Sequence, residues 1–214
     1  MKEKLYHQFV KPQMTRRIMM VMIAHIIMSF GTATLKLCLL GTDPFSAMML
    51  GLTAKTGMSY GNFCALANCS FFVIEILWGR QYIGFGSIVN WFMLGYLVDA
   101  WSWVYKLIVP NMTDSLVVRV PLCCVAIVIL AFSLSLYQSA DIGSSPYDSM
   151  PLVMRDKLHL PFAVARILLD AFSVAVAFIS GGIIGLGTIL VVLFLGPICA
   201  FFNRNFSEKL VNKA

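Results

Sequence analysis

The chain has little charge. Asp, Glu, Lys and Arg make up 12% of its 214 residues against 59% hydrophobic, and mean hydropathy is +0.84. So little polar surface cannot cover a water-facing globule, which excludes an ordinary soluble domain. The six cysteines (Cys38, Cys64, Cys69, Cys123, Cys124, Cys199) all fall in apolar runs with no Cys-x-x-Cys. They read as small hydrophobes, and neither disulfides nor a metal site is assigned. His-Glu-x-x-His is absent, and Ser144 or Ser145 with His25 or His159 lack a serine-protease framework, so no catalysis and no cofactor is expected. No basic stripe interleaved with aromatics occurs, so the net charge of +6 is not a nucleic-acid footprint.

What the chain does have is apolar length. Six runs, Ile18 to Leu40, Tyr60 to Trp78, Ile83 to Trp103, Val117 to Gln138, Leu160 to Ser180 and Gly185 to Phe202, approach the roughly 20 residues that cross about 30 Å of hydrocarbon. The first is longer than a signal-peptide core and has no small-x-small site after it, so it reads as a retained span. In a six-span arrangement Lys2, Lys4, Lys11, Arg16, Arg17, Arg80, Arg155, Lys157, Arg204, Lys209 and Lys213 all lie on one side; Lys55, Lys106 and Arg119 lie on the other. That bias predicts a multi-pass protein of a bacterial cytoplasmic membrane with both termini cytoplasmic.

The chain also repeats itself. Gly41-Thr42-Asp43-Pro44-Phe45-Ser46-Ala47-Met48 returns as Gly143-Ser144-Ser145-Pro146-Tyr147-Asp148-Ser149-Met150. Each segment is followed by an apolar run, a Gly-x-Gly-[Ser/Thr]-Ile turn (Gly84 to Ile88, Gly185 to Ile189) and a run containing Leu94-Gly95 or Leu195-Gly196. Three spans per copy is an odd number, so the second copy is expected upside down relative to the first. The expected fold is all-α: six transmembrane helices in two inverted three-helix repeats, residues 18–108 and 109–203, between a basic N-terminus (1–17) and a cytoplasmic tail (204–214).

Pro44 to Thr56 and Pro146 to Leu158 have 13 residues each, about 20 Å of helix, too short to span. Asp43 and Ser145 are good N-caps, and Pro44 and Pro146 suit the first helical position. The segments read either as re-entrant half-helices whose amino ends converge on a solute, or as interfacial elbows. The Gly-x-Gly turns read as close approaches between the second and third spans of each copy, with Ser87 or Thr188 capping the next helix. Gly95 and Gly196 read as packing notches.

Ionisable groups inside spans are costly and therefore informative. Asp170 lies mid-span, with Arg166 four residues earlier on the same face. By the repeat alignment Asp170 corresponds to Asn68. Asn68, Arg166 and Asp170 read as cavity-lining, or as a structural pair. Lys36 aligns with Gln138 and lies near enough to its span end to snorkel. Glu75 and Asp99 sit about a turn from span ends. His25 and Asn90 read as hydrogen-bonded packing or as relay groups.

In its signature segments the chain resembles the YczE/YyaS/YitT group of bacterial integral membrane proteins, which carry Gly-x-x-Pro-[Trp/Tyr/Phe]-Asp, a short helix and a Gly-x-Gly turn. Pro146-Tyr147-Asp148 matches, whereas Ser46 replaces the acid in Pro44-Phe45-Ser46. The likeness covers about residues 18–203, in the short form without the soluble carboxy-terminal domain of longer YitT-type members. It implies architecture rather than an activity. The expected function is a small-solute transporter or channel at the repeat interface. Its binding residues would come from Gly41, Thr42, Asp43, Pro44, Asn68, Gly143, Ser144, Ser145, Pro146, Asp148, Arg166 and Asp170. The alternative is an accessory or substrate-capture subunit of a larger complex. Expected partners are the lipid bilayer, a small solute, and a second copy or accessory subunits.

Overall fold

The computed structural model describes residues 11–109 and 115–212; Lys2, Lys4 and Lys213 of the charge bias lie outside them. The described residues are helical throughout, without strands. They form α1 (Met14–Cys38), α2 (Pro44–Thr56), α3 (Tyr60–Trp78), a 3-10 turn (Arg80–Tyr82), α4 (Phe85–Ile108) and α5 (Leu116–Ala140). After these come α6 (Pro146–Leu158), α7 (Phe162–Ser180), α8 (Leu186–Phe202), a π turn (Asn203–Ser207) and the short α9 (Glu208–Asn212).

Five helical stretches are long and apolar enough to cross a membrane: α1, α3, α5, α7, and α8 continued to Val211. The sixth expected span, α4, has the length at 24 residues, but Asn90, Asp99, Lys106 and its tryptophans dilute its hydropathy, and it is not among the five.

The core is the pair α1 and α5. Small residues let their backbones approach: Ala24, Ala126 and Ala131 are wholly buried, and a Cβ on Gly31 would lie 3.0 Å from Leu130 Cγ and 3.4 Å from the Ala126 carbonyl. Around this pair the halves exchange contacts. α4 packs on α1 as α8 packs on α5, and the short helix α2 lies along α7 as α6 lies along α3. Each short helix thus rests on the second long helix of the other copy. The exchange is incomplete, since α3 packs closely on α4 whereas α7 and α8 hardly touch. Gly95 lies against Gly61, the Trp91 indole donates to the Ala65 carbonyl at 2.8 Å, and neither feature has a counterpart in the second copy, where Ala163 stands in the place of Gly61, Val192 in the place of Trp91, and Gly196 faces open space. The notch reading therefore holds for Gly95 and fails for Gly196.

The ends of the short helices follow from their sequence. Asp43 Oδ2 accepts the Ser46 amide (3.0 Å) and Ser145 Oγ accepts the Asp148 amide (3.1 Å), with proline next in each case. Gly57 ends α2 in the left-handed region, which suits glycine, and His159 ends α6 there without that advantage.

The Gly-x-Gly turns are placed differently from the sequence reading. They bind the signature segment of the other copy. The Gly86 amide donates to the Ile142 carbonyl and the Gly187 amide to the Leu40 carbonyl, both at 2.7 Å. Gly41 and Gly143 share φ +114, and a Cβ on either would fall 2.8 Å from the Gly185 amide nitrogen or 2.7 Å from Gly84 Cα. The reason is backbone proximity: two chain reversals meet main chain to main chain, and only glycine leaves the space. Ser87 Oγ does cap as expected, accepting the Gly84 amide at 3.1 Å.

Candidate functional site

The amino ends of α2 and α6 meet. Phe45 and Tyr147, each one residue past its proline, have ring centroids 4.7 Å apart, and Phe71 of α3 packs edge-on to Tyr147 at 5.8 Å. Between the ends lies a chamber of about 110 Å³ whose wall includes Asp43, Pro44, Asn68, Ser145, Asp148 and Arg166.

One arginine organises the acids. Arg166 Nη1 binds Asp148 Oδ1 at 2.7 Å and its Nε binds Asp170 Oδ2 at 3.0 Å. The Tyr147 hydroxyl donates to Asp170 Oδ1 (2.9 Å) and lies 2.9 Å from Ser173 Oγ. Ser145 Oγ donates to Asp148 Oδ2 at 2.7 Å, and the Arg166 guanidinium sits 5.5 Å from the Tyr147 ring centre. The pair expected from i, i+4 spacing is therefore a triad in which Asp148, from the neighbouring helix α6, is the closer partner. Fixed hydrogen bonds hold each member, so the triad is a rigid polar wall rather than a set of floating charges.

Asn68, the counterpart of Asp170, is 3% exposed, and its Oδ1 has no hydrogen-bond partner. A buried acceptor facing a chamber without a partner is an unmet demand for a donor.

The chamber leads to a wider space. A vestibule of about 620 Å³ shares Ser145, Asp148 and Arg166 with it and is bordered further out by Tyr82, Gln138, Ser144 and Asp156. At its rim Asp156 accepts from the Tyr82 hydroxyl and from Gln81 Nε2, both at 2.5 Å, and pairs with Arg155 at 2.9 Å. The Tyr82 hydrogen bond first, then Arg155, holds the Asp156 carboxyl below the usual carboxylate range.

The other expected binding residues have other places. Gly143 and Ser144 border the vestibule, and Pro146 is buried behind the chamber as the start of α6. Gly41 packs against Gly185 and Thr188, and Thr42 is wholly buried; neither lines the chamber. Asp170 reaches it through Tyr147 and Arg166. Sequence reading passed over Phe45 and Tyr147, although both stand inside the signature, and over Met28 and Thr32 of α1. Asn90 also lines the chamber and ties it to His25: Asn90 Nδ2 lies 3.2 Å from His25 Nε2, and His25 Nδ1 lies 2.7 Å from the Val21 carbonyl. Lys36 reaches sideways to Ser102 Oγ (3.3 Å) and over the Tyr60 ring, bordering a separate cavity of about 430 Å³ with Asp99 and Lys106.

Several long apolar helices and two capped short ones around a chamber with charged groups in its wall define a multi-pass helical membrane protein. The chain belongs to the family of unknown function DUF6198, whose model matches residues 15–204. It is similar to YyaS of Bacillus subtilis, with 26% identity over 191 residues covering 87% of this chain and 94% of that one. It is likewise similar to a Haemophilus influenzae protein, 24% identical over 189 residues (87% and 83%), and to the membrane protein YczE of Bacillus subtilis, 24% over 177 residues (82% and 80%). These relatives are uncharacterised, and they place the chain in the YczE/YyaS-like group. No solved structure matches.

Proposed function

We propose that the protein carries a small solute across the membrane through the chamber between its two short helices, which act as re-entrant half-helices of two inverted repeats. The observation that carries this reading is the convergence of two capped helix starts on one chamber, apolar over most of its wall with charged groups on one part, that shares Ser145, Asp148 and Arg166 with a wider vestibule. Such starts present amide N–H groups and positive dipole ends to whatever occupies the space.

The reciprocal contacts support inversion. The end of α1 meets the start of α8, and the end of α5 meets the start of α4. With α4 as the sixth span these are opposite faces of the membrane. The aligned Lys36 and Gln138 then border different cavities, Lys36 on the outer side and Gln138 on the cytoplasmic side with Arg155.

Three carboxylates (Asp43, Asp148, Asp170) against one arginine offset the dipole ends and disfavour a simple anion. A neutral, zwitterionic or cationic solute fits better. The chamber itself holds only a few atoms, so the solute would pass by rocking of the halves or bind by a small polar end.

The test is a solute screen with the purified chain in liposomes, followed by Asp148→Asn and Asp170→Asn. Uptake by the chain alone, reduced at least about tenfold by either change, is the expected result. Uptake that survives both unaltered removes these residues from the path. Uptake that requires an added energised partner favours the accessory-subunit reading.

A further inference from the structure

Glu75 has no role in the chamber, and nothing in the fold accounts for it. It stands on α3 three residues before the helix end, is wholly buried, and neither carboxyl oxygen has a hydrogen-bond partner. The Ser149 hydroxyl beside it donates elsewhere, to the Pro146 carbonyl at 2.8 Å. Nor does the packing need an acid there. The repeat offset that pairs Asn68 with Asp170 pairs Glu75 with Ala177 and Ser149 with Ala47, both wholly buried in the same apolar cluster. One copy builds this contact between a long helix and a half-helix from two alanines; the other places a carboxyl in it.

An ionised carboxylate without partners in such a place is strongly disfavoured, whereas the protonated acid is far better tolerated. We propose that Glu75 is a proton-binding site, loaded while the α3–α6 contact is closed and unloaded when that contact admits water. The carboxyl O–H bond then breaks, the electron pair stays on Glu75, and the proton passes to water in the vestibule.

Glu75 has a neighbour that faces the vestibule. Tyr137 of α5 borders the vestibule, lies within electrostatic reach of Glu75, and its buried hydroxyl also has no partner. The titratable groups around the site are Tyr137 from α5, Asp148 from α6, which like Glu75 acts on Tyr137, and Tyr82, which lies with Glu75 against Gly79. His25 packs edge-on to the Tyr137 ring at 5.0 Å, and no described cation pairs with Glu75.

The test needs no knowledge of the solute. The full chain in liposomes is treated with dicyclohexylcarbodiimide, an apolar reagent that attacks protonated carboxyls, or with a water-soluble carbodiimide, across a pH series, and the Glu75 peptide is read by mass spectrometry. The expected result is an adduct from the apolar reagent alone, falling about tenfold per pH unit above the midpoint. A second reading is the component of the protonated-carboxyl infrared band that the native chain loses on alkalinisation and that is missing from the same pH step in Glu75→Gln, whose amide keeps the shape of the loaded acid. Equal labelling by the water-soluble reagent, labelling independent of pH, or an infrared difference unchanged in Glu75→Gln would each overturn the proposal. None of these readouts depends on solute transport.

Discussion

At the residue scale, the polar groups differ in whether their demands are met. Arg166 serves Asp148 and Asp170 together, with side chains 35%, 37% and 22% exposed. Removing the arginine leaves two partly buried carboxylates facing each other. Arg166→Ala should therefore destabilise the protein by about 2 kcal/mol, less than for a fully buried pair because solvent screens the site. Thermal melting in detergent measures this, and Asp170→Asn, which keeps an acceptor for Tyr147, should cost less. At the vestibule rim the sign of the pH effect follows from Asp156. Its carboxyl titrates below the ordinary range, so its hydrogen bonds stabilise the fold above the unfolded-state value of about 3.9 and are lost as pH falls through the folded value. Melting temperature should drop below roughly pH 4 in the native chain and drop less in Asp156→Asn.

At the scale of elements, two short helices are held where their chain reversals cross the opposite copy. The sequence announces the helices themselves, because cap, proline and length are local matters. It also announces that Gly41 and Gly143 are special. It does not say against what. Gly143→Ala forces a side chain onto φ +114 and onto the Gly84 backbone at 2.7 Å, and neither end of that contact is a flexible side chain able to give way. The expected loss is about 2 kcal/mol or more. Gly196→Ala, with nothing within 4 Å of the added carbon, should stay within about 0.5 kcal/mol of the parent. Equal losses in the two variants would show that the crossing is not the constraint.

At the scale of the whole molecule, the exchange of contacts between copies makes the halves one body. Each short helix rests on the second long helix of the other copy as well as on its own. The orientation of the halves is open to a direct check. Lys55 and Lys157, equivalent positions at the exposed ends of α2 and α6, should appear on opposite faces when each is replaced by cysteine in a chain otherwise lacking cysteine and probed with an impermeant thiol reagent in sealed vesicles. Labelling of both from the same side would remove the inverted arrangement and the carrier reading built on it.

The sequence by itself determined the helical membrane class, the repeated signature segments, the two short helices and their caps, because hydropathy over about 20 residues and capping chemistry are properties of contiguous chain. Only the tertiary structure decided that Asp148 joins Arg166 and Asp170, that each Gly-x-Gly turn grips the other copy, and that Glu75 is sealed inside rather than turned toward a helix end. Each of those is a meeting of groups at least 18 residues apart in the chain, or a burial created by such meetings. No local preference specifies a partner at that distance; only the packed whole does.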